Sequence, residues 1–327
     1  MTAVEAVCLG ESMAVLLPDR PGSLAGVASF RAGVGGAESN TACALAALGI
    51  PAAWISRVGA DGFGERLLDE LAAHGVDTSA VAVDPDRPTG LYIKERGPHG
   101  PLPRYYRAGS AAAALSPALL DDPAAARLLG GARLLHLSGI TAALSDDCLA
   151  LLRALLAAPR AGRLVSFDLN WRPSLWRRRD PAVLTELLDA ADLVLLGADE
   201  AEAALGTGDP AALRALLPHP ATLVVKDADR QAIAVDRDGR RTAEPALRVE
   251  VVEPTGAGDA FAAGYLAGTL RGLDQRGRLR LGHLSAAAAL TAHGDQGTPP
   301  PPGVRAALLA APPEQWAAVR VTAEGVR

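Results

Sequence analysis

Short apolar runs alternate with amphipathic stretches along most of the chain, which predicts a mostly parallel β-sheet wrapped by helices. Val4–Leu9 is the first apolar run and reads as a strand. A glycine-rich opening at Gly33, Gly35 and Gly36 precedes a helix over Glu38 to Leu48. Phe63 to Ala73 sets Leu67, Leu68 and Leu71 on one side and stops at Gly75, as an amphipathic helix does. From Leu134 the rhythm is regular. Strands Leu134–Leu137, Leu164–Asp168 and Leu193–Leu196 each precede a helix, over Asp146–Ala157, Ala182–Ala190 and Asp199–Leu205. Leu223–Lys226 and Ala232–Val235 flank a turn and read as a hairpin. Helices Asp259–Arg271 and Arg278–His293 follow, and the proline run Pro299–Pro302 breaks the chain before a short helix near Val304–Ala310.

Two stretches interrupt this rhythm. Leu16–Val34 and Pro88–Arg107 are rich in Gly, Pro and charge, with short extended pieces such as Leu91–Ile93. Long structureless loops inside a compact domain are uncommon, so both are read as strands of a small lid sheet beside the main one.

Composition removes several function classes. Lys+Arg total 32 against Asp+Glu 37, so no basic surplus draws the chain to nucleic acid or to an anionic membrane. No uncharged apolar run is long enough to span a bilayer, and no basic stretch followed by an apolar core marks a signal peptide, so a cytoplasmic protein is expected. Cys8, Cys43 and Cys148 are scattered without a CxxC pair, and read as reduced, buried thiols rather than a zinc site.

The chemistry concentrates in Glu253-Pro254-Thr255-Gly256-Ala257-Gly258-Asp259-Ala260-Phe261, where an extended run enters and a helix leaves. Gly256 and Gly258 let the backbone turn, and the N–H groups of Gly256, Ala257 and Gly258 then point off a helix N-terminus, where an anion is stabilised. A carboxylate beside such a cradle is repulsive unless it has a task. The task available to Asp259 is to take a proton from an attacking hydroxyl while the N–H groups neutralise a transferring phosphoryl. Helix capping is the other reading of Asp259. No Gly-x4-Gly-Lys-Ser/Thr P-loop occurs, and Phe261 stands where a dinucleotide fingerprint needs its third glycine.

Pro254–Gly264 resembles the C-terminal signature of the ribokinase-like (PfkB) carbohydrate kinases, and Gly35–Ala42 resembles the N-terminal one. Arg57–Gly64 is similar to a third family stretch. The resemblance implies a single ribokinase-like domain over 1–327, a three-layer α/β sandwich with lid segments at about 16–34 and 88–107. It also implies ATP and Mg²⁺ as cofactors and a homo-oligomer. A finer resemblance, to 2-keto-3-deoxygluconate kinases, rests on Gly10–Met13, Tyr105–Ala111, His136–Thr141 and Asp168–Arg172. It implies sugar contacts from Gly36, Asn40, Tyr92, Tyr106, Arg107, Ile140, Arg172 and Asp295, with Asp259 as base. For the nucleotide it implies Asn170, the loop Lys226, Asp227, Ala228, Asp229, Arg230 and Gln231, the turn Gly256–Gly258, and His283; for magnesium it implies Glu202, through water.

The residues agree with an acid. A sugar acid needs a positive partner, and arginine offers a planar, permanently charged fork; Arg172 follows a strand end, where open α/β sheets bind ligands. Family members carry Lys-x-Gly-x-x-Gly where this chain has Lys226–Gln231 without either glycine. A kinase for another sugar, of fructose or ribose type, and a catalytically weak sugar-binding protein on the same scaffold stay open at this point.

Overall fold

The apolar runs pair into one eight-stranded sheet. The computed structural model describes residues 3–326 apart from Pro21, Pro98, His99, Arg178, His293 and Asp295. From one edge, the parallel strands are Ala52–Ile55, Ala6–Leu9, Leu134–Ser138, Leu164–Asp168, Leu193–Gly197 and Thr222–Asp227. Gln231–Asp236 and Arg241–Pro245 extend the sheet antiparallel, the first by a tight turn that sets Asp227 opposite Gln231.

The strands are apolar on both faces because both faces are covered. Val7, Leu9, Leu135, Leu137 and Phe167 pack under helices that include Asp146–Ala157 and Ala182–Asp189. Their alternating neighbours Ala6, Cys8, Leu134 and Leu195 pack under Ala37–Ala47, Ala257–Leu270 and Gln275–Leu290. The last two helices meet through small residues. A Cβ at Gly264 would lie 2.3 Å from the Leu281 carbonyl oxygen, and one at Gly282 would lie 2.9 Å from the Phe261 ring.

Element ends shifted where caps decide them. The helix expected from Asp259 starts at Ala257, because Gly256 takes a left-handed φ of 81° and serves as its cap. The one expected from Arg278 starts at Gln275, where Asp274 accepts from the Gly277 N–H at 2.7 Å. The stretches Leu16–Val34 and Pro88–Arg107 supply most of a separate four-stranded sheet, ordered Phe30–Gly35, Met13–Pro18, Leu91–Gly97, Gly100–Tyr106. In a three-stranded sheet of Arg248–Val249, Arg320–Thr322 and Gly325–Val326, the first strand falls within the extended run Arg248–Val252 that enters the Glu253–Phe261 segment, and the other two had no counterpart in the sequence pattern. Cys8, Cys43 and Cys148 are buried and unpaired. Among the described residues, no helix is long and apolar enough to cross a membrane.

Candidate active site

A cleft of about 820 Å³ opens at the carboxyl ends of the parallel strands, where α/β sheets bind ligands. Each central strand delivers a side chain or a turn to it: Ile140 after Leu134–Ser138, Asp168 and Asn170 from Leu164–Asp168, Gly197 from the next strand, and Lys226 from the one after. The small sheet contributes Tyr92, Lys94, Tyr105 and the adjoining Arg107. Leu247, Val249, Ala287 and Leu290 form an apolar wall, and Gly256–Asp259 complete the lining.

Asp259 lies in the first turn of its helix, and two amides hold its carboxylate. Asn40 donates to Oδ2 at 2.9 Å and Asn170 to Oδ1 at 3.4 Å. Gln296 in turn donates to Asn40 Oδ1 at 3.1 Å, which fixes the flip of the Asn40 amide. Gly36 lets Asn40 reach this place: a Cβ there would sit 2.3 Å from the Glu11 carbonyl oxygen, so only glycine allows the helix to start against Glu11 and Ser12. Asn170 occupies the left-handed region at φ 40°, a turn that asparagine tolerates better than most residues. Burial lifts the Asp259 carboxyl to about 7, with the Asp168 charge adding to the lift against the Asn40 bond and the Arg172 and Lys226 charges. A carboxyl poised near neutrality is suited to accept a proton.

Lys226 supplies the opposing charge. Its ammonium donates to Asp168 Oδ2 at 3.0 Å, and a Cβ on Gly258 would stand 3.8 Å from it, so the amine sits beside the start of the Ala257–Leu270 helix. Burial works to lower its pKa, but Asp168, Glu200 and Asp259 outweigh burial and hold it above the ordinary value. Glu200 takes Arg172 Nη1 at 3.2 Å, and burial raises its carboxyl. Arg107 is almost fully enclosed and paired with Glu11, which also accepts from Ser110 Oγ at 2.7 Å.

A further acid lies under the site. Glu38 is fully buried, and its Oε1 accepts from Ser138 Oγ at 2.7 Å and Thr141 Oγ1 at 2.8 Å. Burial raises its carboxyl to about 7, against those two bonds. Unfolded carboxyls titrate near pH 4, so folded Glu38 and Asp259 retain protons that the unfolded chain releases; both lower stability as pH climbs from about 4 to about 7. His136 and His283 act in the opposite sense: burial pushes each down to about 4, so their contribution is lost as pH falls from about 6.5 to about 4. The difference between variant and parent isolates one group. The melting temperature of Glu38→Gln relative to the parent should rise by several degrees between about pH 5 and about pH 8, and a difference independent of pH would mean that Glu38 stays ionised throughout.

Of the residues proposed from sequence, the cleft collects Gly36, Asn40, Tyr92, Arg107, Ile140, Asn170, Arg172, Lys226, Ala228, Asp229, Gln231, Gly256, Ala257, Gly258, Asp259 and His283. Asp295 lies outside the described residues. Four of the proposed residues, Tyr106, Glu202, Asp227 and Arg230, fall outside that lining. Tyr106 is 61% exposed and Tyr105 lines the cleft in its place, because strand alternation puts Pro103, Tyr105 and Arg107 on one face. Tyr105 pairs in register with Tyr92, their rings 5.4 Å apart. Glu202 lies off the cleft, bonded to the Gly208 N–H at 2.9 Å in the loop after its helix; Asp199 and Glu200, in the first turn, face inward instead. Asp227 and Arg230 pair with each other within their exposed turn, Nε to Oδ2 at 2.8 Å, and are not part of the lining. That turn keeps a glycine-like shape without glycine, since Ala228 holds φ 45°. Lys94, Asp199 and Glu200 were missed; alternation from Tyr92 would have found Lys94.

A half-buried carboxylate in the first turn of a glycine-capped helix, faced by a lysine among further acids, has the geometry of a small-molecule phosphotransferase on an α/β sheet. The chain belongs to the pfkB family of carbohydrate kinases, whose model matches residues 4–301. A 2-dehydro-3-deoxygluconokinase of Thermoproteus tenax is 35% identical over 94% of this chain and 95% of its own. One of Bacillus subtilis is 37% identical over 89% and 91%. The crystal structure of a PfkB protein from Polaromonas sp. JS666 superposes with a TM-score of 0.81 at 34% identity, covering 94% of this chain and all of that one.

Proposed function

We propose that this kinase transfers the γ-phosphoryl group of ATP to the terminal hydroxyl of a 2-keto-3-deoxy sugar acid, 2-keto-3-deoxygluconate giving its 6-phosphate. The observation that carries the reading is the Asp259 carboxylate, held by Asn40 and Asn170 at the start of the Gly256-capped helix. Asp259 takes the hydroxyl proton, and the substrate oxygen forms a bond to the γ-phosphorus. The bond to the β-bridging oxygen breaks, and ADP leaves. The Gly256–Gly258 N–H groups and Lys226 meet the charge that develops on the phosphoryl oxygens. The whole chain acts as one kinase domain with the four-stranded sheet as its lid, which lays Tyr92 and Tyr105 over the sugar and excludes water.

Among the described residues, no group of three or more His, Cys, Asp or Glu could hold a metal ion. Of the carboxylates that line the cleft, Asp199 and Glu200 fit a hydrated Mg²⁺ brought by the nucleotide, which would neutralise phosphate charge there. Arg172 and Arg107 face the sugar end, each with a protein carboxylate at hand. Both bonds that Arg172 makes use Nη1, to Trp171 O at 2.9 Å and to Glu200 Oε1 at 3.2 Å, and a guanidinium carries further donors for a substrate carboxylate. The two relatives named 2-dehydro-3-deoxygluconokinase support the same substrate class.

ADP release measured over a panel of keto-deoxy sugar acids, fructose and ribose tests the reading. The acids should be preferred by kcat/KM, and Arg172→Ala should raise the KM for the acid about ten- to a hundredfold while leaving that for ATP much less changed. Fructose or ribose as the better substrate would overturn the acid and leave the kinase standing.

A further inference from the structure

The family match ends at residue 301, yet the chain beyond it shapes the cleft. Strand Arg320–Thr322 pairs in parallel with Arg248–Val249, and the Glu250 N–H donates to the Val321 carbonyl at 3.0 Å. Leu247 and Val249 belong to the apolar wall of the cleft, and Leu247 packs in its own small core with Leu284, Ala287, Trp316, Val319 and Val321. Strand Arg248–Val249 is two residues long and, among the described residues, its strand partner comes from the terminal segment, so that segment helps fix where Leu247 and Val249 stand in the wall.

One buried cation ties the segment down. Arg280, on the helix Gln275–Leu290, is 1% exposed. Its Nε donates to Glu244 Oε2 at 2.9 Å, and its Nη1 donates to the carbonyls of Leu309 at 3.1 Å and Ala311 at 2.5 Å. Its guanidinium lies 4.9 Å from the Trp316 ring centroid, and Trp316 Nε1 donates to the Pro245 carbonyl at 2.9 Å. One turn on, His283 contacts Phe261 and Trp316 with ring centroids at 5.2 and 6.4 Å, and it also lines the cleft.

We infer that Arg280 is a positioning residue for the nucleotide: by latching residues 302–326 onto the body of the protein, it sets the apolar wall against which the base of ATP packs, without touching ATP itself. This rests on the family resemblance that puts His283 among the nucleotide contacts, since His283 lies on the same helix as the wall residues Ala287 and Leu290 and lines the cleft with them. The catalytic loop is anchored to the helix Gln275–Leu290 rather than to the terminal segment, since the N–H groups of Val252 and Glu253 both donate to the Leu290 carbonyl, at 2.8 and 3.2 Å. A loosened latch therefore acts on the base wall before it reaches Gly256–Asp259.

Arg280→Lys keeps a buried cation beside Glu244 and removes the Nη1 donor that holds the Leu309 and Ala311 carbonyls. Calorimetry with MgATP and no sugar should give a Kd about tenfold weaker, since hydrogen bonds to a charged group are lost. The KM for the sugar substrate and kcat at saturating ATP should stay within a few-fold of the parent. Arg280→Met should weaken ATP at least as much, and hydrogen exchange in the unaltered protein decides if neither variant folds: MgATP should slow the amides of 249–252 and 321–326, and the sugar acid alone should not. An unchanged ATP Kd in a folded variant, a parallel rise in both substrates' constants, or no protection by MgATP would overturn the inference. Because ATP binding is read without a sugar, failure of the sugar-acid assignment leaves this result interpretable.

Discussion

Asp259→Asn is expected to lower turnover by about 10²–10⁴-fold, the range lost with a general base, while both substrates still bind. The variant keeps the shape of the side chain and an oxygen for the Asn40 donor at 2.9 Å, so the fold and the cleft should persist. What it removes is the ability to take the hydroxyl proton. In the parent enzyme the same group should govern the acidic limb of the pH profile. Burial raises the free Asp259 carboxyl to about 7, so log kcat/KM should climb with unit slope up to about pH 7 and level off above it. The limb should vanish in the variant's residual rate. Near-normal turnover in Asp259→Asn, or an acidic limb that survives it, would mean that another group accepts the proton.

Lys226→Met should cost about 10²–10³-fold in kcat, the effect of removing one preorganised donor aimed at developing charge. Lys226 bonds Asp168 at 3.0 Å and reaches the start of the Ala257–Leu270 helix, where the phosphoryl is expected. Its ammonium also lowers the Asp259 carboxyl pKa against the push of burial. Taking it away raises that pKa, so the acidic limb should move to higher pH and part of the lost rate should return in alkaline buffer. A pH–rate series on the variant checks both effects. A variant as fast as the parent, with its limb unmoved, would remove Lys226 from the phosphoryl site.

Sequence alone determined the features set by neighbours in the chain. Apolar runs of strand length followed by amphipathic helices fix a parallel sheet, because each strand buried on both faces must be apolar throughout. Gly256, Gly258 and Asp259 announce an anion cradle and its acid, since the φ of 81° at Gly256 and the N–H groups of the first turn are local properties. The hairpin that carries Lys226 was legible for the same reason, although Ala228 shows that its left-handed turn survives without glycine.

Tertiary structure decided the partnerships. Asn40 and Asp259 lie 219 positions apart, and nothing in either segment specifies a 2.9 Å bond between them. Which tyrosine faces the cleft depended on the register of the small sheet, where a one-residue step exchanges Tyr105 for Tyr106. The sequence offered Arg107 and Arg172 as charges for a substrate, and folding placed Glu11 and Glu200 against them. Glu38 was read only as a helix residue; enclosing it among Ser138, Thr141 and Gly10 turned it into a carboxyl that titrates near neutrality. The terminal segment gave a proline run and one short helix in the pattern, and its contacts with the cleft wall, through Arg280, the packing of Trp316 and Val321 on Leu247 and the pairing of Arg320–Val321 with Arg248–Val249, appear only in the folded chain. Periodicity and turn chemistry act over a few residues, whereas burial, ion pairing and pKa depend on which distant segments the closed chain brings within a few ångströms.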